Sequence, residues 1–285
     1  MKGVLSGYSG PGHPGQHAES IPSIITAVEW SLYLASWDII IRGIGCTVND
    51  SLDQKFNRQV ARTRNRPIAR GAVSTKQANV FTLEQLAAAA VCFHHYHMLL
   101  YPMRSQMVFL GFAFSAPLYL MCRAILGHYP LQLERIAIVS SVSWDTLKSS
   151  PDFLTITFLS ISGTLWTVIF DTVYVHQDYE DDLKAGAPGL AVRLGLKGTK
   201  PALSLLSAVQ IGGLVLAGKH AGFGPVHFAL SCGGTAISLS AMMLKVNLEN
   251  PKSCAWWFEW GNYPIGGSMV LGLLREYLIK RSSLY

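Results

Sequence analysis

The chain has 285 residues, half of them hydrophobic and only 14% charged, with 23 Lys and Arg against 17 Asp and Glu. Soluble domains carry about a quarter charged residues, so this composition, with a mean hydropathy of +0.29, argues against a water-soluble enzyme. The net charge of +6 does not point to nucleic acid, because the basic residues crowd into two short stretches between apolar blocks, the pattern of cytoplasm-facing loops in membrane proteins.

Met1–Ser20 is rich in Gly, Pro, His and Ser, with one Lys and no Arg. It has neither the apolar core of a signal peptide nor the Arg-rich character of a mitochondrial presequence. It is expected to be a flexible segment (residues 1–20) ahead of a single transmembrane domain (residues 21–285), and its composition favours the endoplasmic reticulum over mitochondria. The first apolar block runs from about Ile21 to Val48, followed by a basic polar stretch to about Ser74. A second block, Ala78–Leu100, is interrupted by Glu84, His94, His95 and His97. The i, i+1, i+3 spacing of these histidines suits a polar helix face better than a metal site. Further blocks follow at Met107–Leu126, Leu131–Ser143 and Phe153–Val175, with a polar patch at Trp144–Asp152. A second polar loop is expected from Gln177 to Lys200, and then blocks at Ala202–Ala217, Pro225–Met243 and Ile265–Ile279. Bilayer spans need about 20 apolar residues, so the fold class is an all-α, multi-pass transmembrane helix bundle whose partner is the lipid bilayer.

Gly212, Gly213, Gly233, Gly234, Gly266 and Gly267 lie inside these blocks, where small residues allow helices to approach closely. Trp256, Trp257 and Trp260 read as an aromatic belt at the membrane surface. Cys46, Cys92, Cys122, Cys232 and Cys254 form no CxxC pair and read as reduced, buried thiols. The chain carries no P-loop, GxSxG or HExxH.

Each polar loop opens with carboxylates at helical spacing. Asn49, Asp53 and Asn57 are four residues apart, with Asp50 beside them, and such positions share a helix face. Asp171, Tyr174, Asp178 and Asp182 follow at spacings of 3, 4 and 4, which at about 100° per residue makes one stripe. Acids at the end of a membrane helix are costly unless solvated, paired or bound to metal. Two facing acidic stripes would cage Mg²⁺, which prefers oxygen ligands and commonly bridges to phosphate. Glu180 and Asp181 could equally be solvated loop acids. Lys55, Arg58, Arg62, Arg64, Arg66 and Arg70 follow the first stripe. Arginine forks suit phosphate oxygens, and Arg62 and Arg66 are expected to serve a ligand while the others set topology. Lys184, Arg193, Lys197 and Lys200 leave the same two roles open.

Three runs carry a resemblance: Arg42-Gly-Ile-Gly-Cys-Thr-Val-Asn-Asp50, Arg62-Thr-Arg-Asn-Arg-Pro-Ile-Ala-Arg-Gly71 and Asp171-Thr-Val-Tyr-Val-His-Gln-Asp178-Tyr-Glu-Asp-Asp182, with Gly189-Leu-Ala-Val-Arg-Leu-Gly195 behind them. They resemble the UbiA superfamily of intramembrane prenyltransferases, in particular the 4-hydroxybenzoate polyprenyltransferase branch that includes fungal meroterpenoid enzymes. The resemblance implies nine helices around a cavity open to lipid. It implies Mg²⁺-dependent transfer of a prenyl group, farnesyl or longer, from a prenyl diphosphate to a small aromatic acceptor, in meroterpenoid or quinone biosynthesis and without an obligate protein partner. The family's metal positions fall on Asn49, Asp50, Asp53, Asp178 and Asp182. The catalytic set it implies is Asp50, Asp53, Asp171, Tyr174, Asp178 and Asp182, with Tyr174 orienting the diphosphate or the cation. Diphosphate contacts fall on Arg62, Arg66, Arg104 and Lys184.

The chain also departs from that pattern. Asn57 stands where the first motif normally ends in a carboxylate, and Gln77–Leu100 holds one helix where the family fits two. Met103-Arg104-Ser105 is a shortened basic loop after Tyr101-Pro102. The expected count is therefore seven to nine helices, with one or two of the usual nine lacking. Two other functions stay open: a membrane terpene cyclase using the same metal site, and an inactive truncated relic.

Overall fold

The computed structural model describes residues 24–100, 153–187 and 189–282. The expected apolar runs 107–126 and 131–143, Arg104, and the segment 1–20 lie outside the described residues, as do the side chains of His94, His95 and His97. Every regular element among the described residues is helical. Helix α1 is Ile24–Leu52, and the short α2 is Gln54–Asn57. Helix α3 is Thr75–Leu100, a single helix after the first motif. Helix α4 is Phe153–Val175, followed by a 3₁₀ turn at His176–Asp178 and by α5 at Tyr179–Ala185. Helix α6 is Leu190–His220 and α7 is Pro225–Lys245, the latter containing a π turn at Phe228–Gly233. Helices α8, Pro251–Trp260, and α9, Asn262–Ser282, close the chain.

Among the described residues, three segments are long and apolar enough to cross a bilayer: Thr157–Ala185, Leu190–His220 and Pro225–Lys245. Large side chains point outward from them, Ile237 at 73% and Leu244 at 83% exposure. Such surface is at home against hydrocarbon, and the protein is an integral membrane protein. Several hydroxyl groups within α4 are satisfied by the helix's own carbonyls, as lipid favours. Ser162 Oγ donates to the Phe158 carbonyl at 2.7 Å, Thr164 Oγ1 to Ser160 at 2.8 Å, and Thr172 Oγ1 to Val168 at 2.6 Å.

Lipid tails give helices no hydrophobic reason to associate, so close packing of small residues holds them. Helices α4 and α6 run antiparallel. Ser162 lies against Gly213, where a Cβ would come within 2.3 Å of Ser162 Oγ, and Phe158 stacks on His220 with centroids 5.8 Å apart. Helices α7 and α9 pair likewise: Gly234 receives Ser268, and Gly272 receives Ser231 from the π turn. Gly212 and Gly267 have no neighbour within 4 Å of the Cβ position among the described residues. Trp166 Nε1 donates to Asn262 Oδ1 at 2.9 Å and ties α4 to α9. The core, Ile169, Phe170, Val173, Leu203, Leu239, Met242 and Ile265 with Cys254 of α8, gathers towards the end of α4 that carries Asp171.

The expected loop from Gln177 to Lys200 is mostly helical. Gly195, at φ 64° and ψ 174°, is non-helical and breaks α6, with polar helical turns from Leu190 before it and the helix carrying the apolar run at Ala202 after it. Gly186, at φ 67°, ends α5 in the left-handed conformation that glycine adopts most readily. Trp256 and Trp260 are 53% and 54% exposed, while Trp257 packs against the core.

Candidate active site

Both acidic motifs bend at an aspartate. Asp53 separates α1 from α2 at φ −96° and ψ 13°, and Asp178, the last residue of the 3₁₀ turn, caps α5 at φ −109° and ψ 11°. Neither motif is therefore the unbroken helical stripe its spacing suggests. The chain still follows a helical course through the first bend, because Asp53 N–H bonds the Asn49 carbonyl at 2.9 Å and Asn57 N–H bonds Asp53 at 2.8 Å. In the second motif the 3₁₀ turn is pinned by His176, whose Nδ1 lies 2.7 Å from the Thr172 carbonyl and whose Nε2 lies 3.2 Å from Thr199 Oγ1 of α6. The His176 ring stacks on Tyr179 with centroids 5.6 Å apart.

The two motifs line one cavity of about 470 Å³. Asn49, Asp50 and Asp53 enter it from one side; Asp171, Tyr174, Asp178 and Asp182 enter from the other. The basic stretch after α2 folds over the cavity as successive turns with its own small core of Val60, Thr63, Ile68 and Ala69. Gln54 Nε2 donates to the Ile68 carbonyl and Arg58 Nε to that of Ala69, both at 2.8 Å. Ties also reach both motifs. Ala61 N–H donates to Asp181 Oδ2 at 2.9 Å. Arg62 Nε donates to both Asp178 oxygens at 3.0 and 2.9 Å, its Nη2 also pairs with Asp178, and its Nη1 donates to the Tyr174 hydroxyl at 2.6 Å. Arg66 pairs with Asp50. Burial works against the charge on Arg62, but the hydrogen bond with Asp178 and the attraction of Tyr174 and Asp178 prevail, raising its pKa above the ordinary arginine value.

Of the expected residues, the cavity thus gathers all five metal positions together with Asp171, Tyr174, Arg62 and Arg66. Lys184 is not among the lining residues: it is exposed on α5, two residues past Asp182 and so on the far side of that helix. Asp181, read as a possible solvated acid, instead holds the loop. Asn57 points its amide Nδ2 at Asp50 Oδ1, 3.5 Å away, where a carboxylate would meet like charge. Arg64 and Arg70 are exposed.

Arg42, Cys46 and Phe258 are among the lining residues that the sequence does not single out as site residues. For the first two the signal was present, because Arg42, Cys46 and Asn49 follow at spacings of 4 and 3 on α1. Phe258 comes from α8, and nothing in its local sequence marks it.

The donor set suits Mg²⁺. It consists of oxygen atoms, and Asn49 Oδ1 is buried with no hydrogen-bond partner among the described residues, which is costly for an amide oxygen unless a ligand completes it. Among the described residues no three acidic, His or Cys side chains converge closely enough to hold a metal ion as they stand. Asp50 and Asp178 are turned to Arg66 and Arg62, so holding a cation requires them to change partners.

The model of the UbiA prenyltransferase family matches residues 18–263. The 4-hydroxybenzoate polyprenyltransferase, mitochondrial, of Schizosaccharomyces pombe is 31% identical over 264 residues, covering 90% of this chain and 71% of the relative. The human protein of that name is 32% identical over 260 residues, covering 85% and 63%. The UbiA prenyltransferase claS of Ampulloclitocybe clavipes is 31% identical over 242 residues, covering 84% and 74%. The chain spans between 63% and 74% of the length of these relatives. No solved structure matches it significantly. With two acidic motifs brought to one cavity inside a membrane helix bundle, and a family match running across most of its length, the chain belongs to the UbiA prenyltransferase family.

Proposed function

We propose that the chain transfers a prenyl group from a prenyl diphosphate, farnesyl or longer, to a small aromatic acceptor, with Mg²⁺ as cofactor. The observation that supports this is the single cavity in which carboxylates from residues 49–53 and 171–182 interleave with Arg62 and Arg66. Asn49, Asp50, Asp53, Asp178 and Asp182 would hold Mg²⁺, which when bound supplies Lewis-acid and charge-neutralising chemistry to the leaving diphosphate. Arg62 and Arg66 pass from carboxylate to diphosphate oxygens, for which their planar forks are equally suited. Tyr174, already bonded to Arg62, orients that guanidinium. The C1–O bond of the prenyl diphosphate breaks, its electron pair leaving with the oxygen. A ring carbon of the acceptor then forms the new C–C bond, and the ring proton passes to the released diphosphate.

The names of the relatives support a phenolic acid of the 4-hydroxybenzoate type as acceptor, in quinone or meroterpenoid synthesis. The mitochondrial names of the fission-yeast and human relatives favour a mitochondrial membrane over the endoplasmic reticulum. The test is an assay of membranes containing the full chain, Mg²⁺ and labelled prenyl diphosphates of several lengths, with and without phenolic acceptors. Acceptor-dependent product that disappears in Asp53→Ala and Asp178→Ala supports the reading. Hydrocarbon or alcohol formed without acceptor marks a cyclase or lyase, and no turnover at all retires the catalytic reading.

A further inference from the structure

Two aromatic rings, Tyr174 and Phe258, stand side by side in the cavity wall. Tyr174 and Phe258 lie with centroids 4.3 Å apart and planes inclined by 39°. The π face of Tyr174 is committed to a resident cation, since the Arg62 guanidinium carbon stands 4.8 Å from the ring centre and its Nη1 holds the hydroxyl. Phe258 lines the same cavity from α8, an element that supplies none of the acids or arginines. It is half-buried.

We propose that Phe258 is the ring beside which the allylic carbocation of the prenyl donor forms. This rests on the transfer reading above. When the C1–O bond breaks, the electron pair leaves on the diphosphate oxygen and positive charge spreads over the first carbons of the prenyl chain, within a bond or two of the arginines. Tyr174 is bonded to Arg62 and Phe258 packs beside it in the same wall, so Phe258 stands within that reach of the guanidinium. A carboxylate or a free hydroxyl beside the cation would capture it, whereas the Tyr174 hydroxyl is engaged by Arg62. A phenyl ring attracts the cation through its quadrupole and offers no lone pair to bond it. Attack by an acceptor ring carbon then consumes the charge.

Replacement of Phe258 by mono-, di- and trifluorophenylalanine in the full chain preserves its shape and packing on Tyr174 while draining the ring quadrupole. The single-turnover rate of diphosphate release is expected to fall stepwise along the series, about ten- to thirtyfold at three fluorines, with the affinity for a prenyl thiodiphosphate and the thermal midpoint unchanged. Phe258→Leu is expected to fall at least as far and to release prenyl alcohol. A flat rate across the fluorine series overturns the proposal and leaves Phe258 as packing for Tyr174, as does a loss confined to affinity or thermal stability. An unsubstituted chain that releases no diphosphate from any donor overturns the transfer reading first and this proposal with it.

Discussion

Arg62 and Asp178 are 116 residues apart in the chain and form a two-pronged ion pair across the cavity, with Arg62 Nε within 3.0 Å of both carboxylate oxygens. The pair joins the loop behind the first motif to the centre of the second. Charge-assisted bonds of this kind contribute about 1.5–3 kcal/mol. Arg62→Ala is expected to lower kcat/KM about 10- to 100-fold in the membrane assay. Arg62→Lys is expected to recover little of the loss, because an ammonium cannot reproduce the fork that reaches Asp178 and Tyr174 together.

Asn57 faces Asp50 through its amide nitrogen. Asn57→Asp places two carboxylates there instead. Without divalent cation the variant is expected to melt at a lower temperature in detergent than the parent chain. With cation the order should reverse, and half-maximal activity should need less Mg²⁺, since ligand charge raises affinity for hard cations. Paired melting curves with EDTA and with Mg²⁺, and a Mg²⁺ titration of activity, check both signs.

Asp181 holds the backbone N–H of Ala61 and does not line the cavity. Asp181→Ala releases that end of the loop while leaving the other motif acids in place. The expected result is a rise in KM for the prenyl diphosphate larger than any fall in kcat, with faster tryptic cleavage at Arg58, Arg64 and Arg70. Equal cleavage rates in the variant and the parent would refute a tethering role.

Gly213 gives Ser162 its place between α4 and α6. Gly213→Ala forces a Cβ to within 2.3 Å of Ser162 Oγ and is expected to destabilise the bundle by about 1–3 kcal/mol. Removing the hydroxyl in the double variant Gly213→Ala/Ser162→Ala should restore part of the loss, read as the thermal midpoint in detergent.

Much of this site was legible in the sequence because helical spacing survives small bends. Asn49, Asp53 and Asn57, and likewise Asp171, Tyr174, Asp178 and Asp182, reach one cavity although each motif breaks at an aspartate. Lys184 was misplaced because proximity in sequence to Asp182 says nothing of helix face. The start of α6 differs from the expectation because hydropathy marks only the apolar run from Ala202, whereas polar helical turns begin at Leu190 and join that run across the break at Gly195. Phe258 was invisible for a different reason: it reaches the cavity only through the packing of α8 against α4 and the 3₁₀ turn, which is a property of tertiary structure.

Among the described residues the lining of the cavity includes five carboxylates, of Asp50, Asp53, Asp171, Asp178 and Asp182, against three guanidinium groups, of Arg42, Arg62 and Arg66. With all of them ionised the formal balance is two negative charges, so the wall repels a bare anion. On the proposed function, a diphosphate would enter in company with positive charge, and free pyrophosphate would leave once its counterion departs. Substrate admission and product discharge would then be governed by the same electrostatic deficit, without any moving gate.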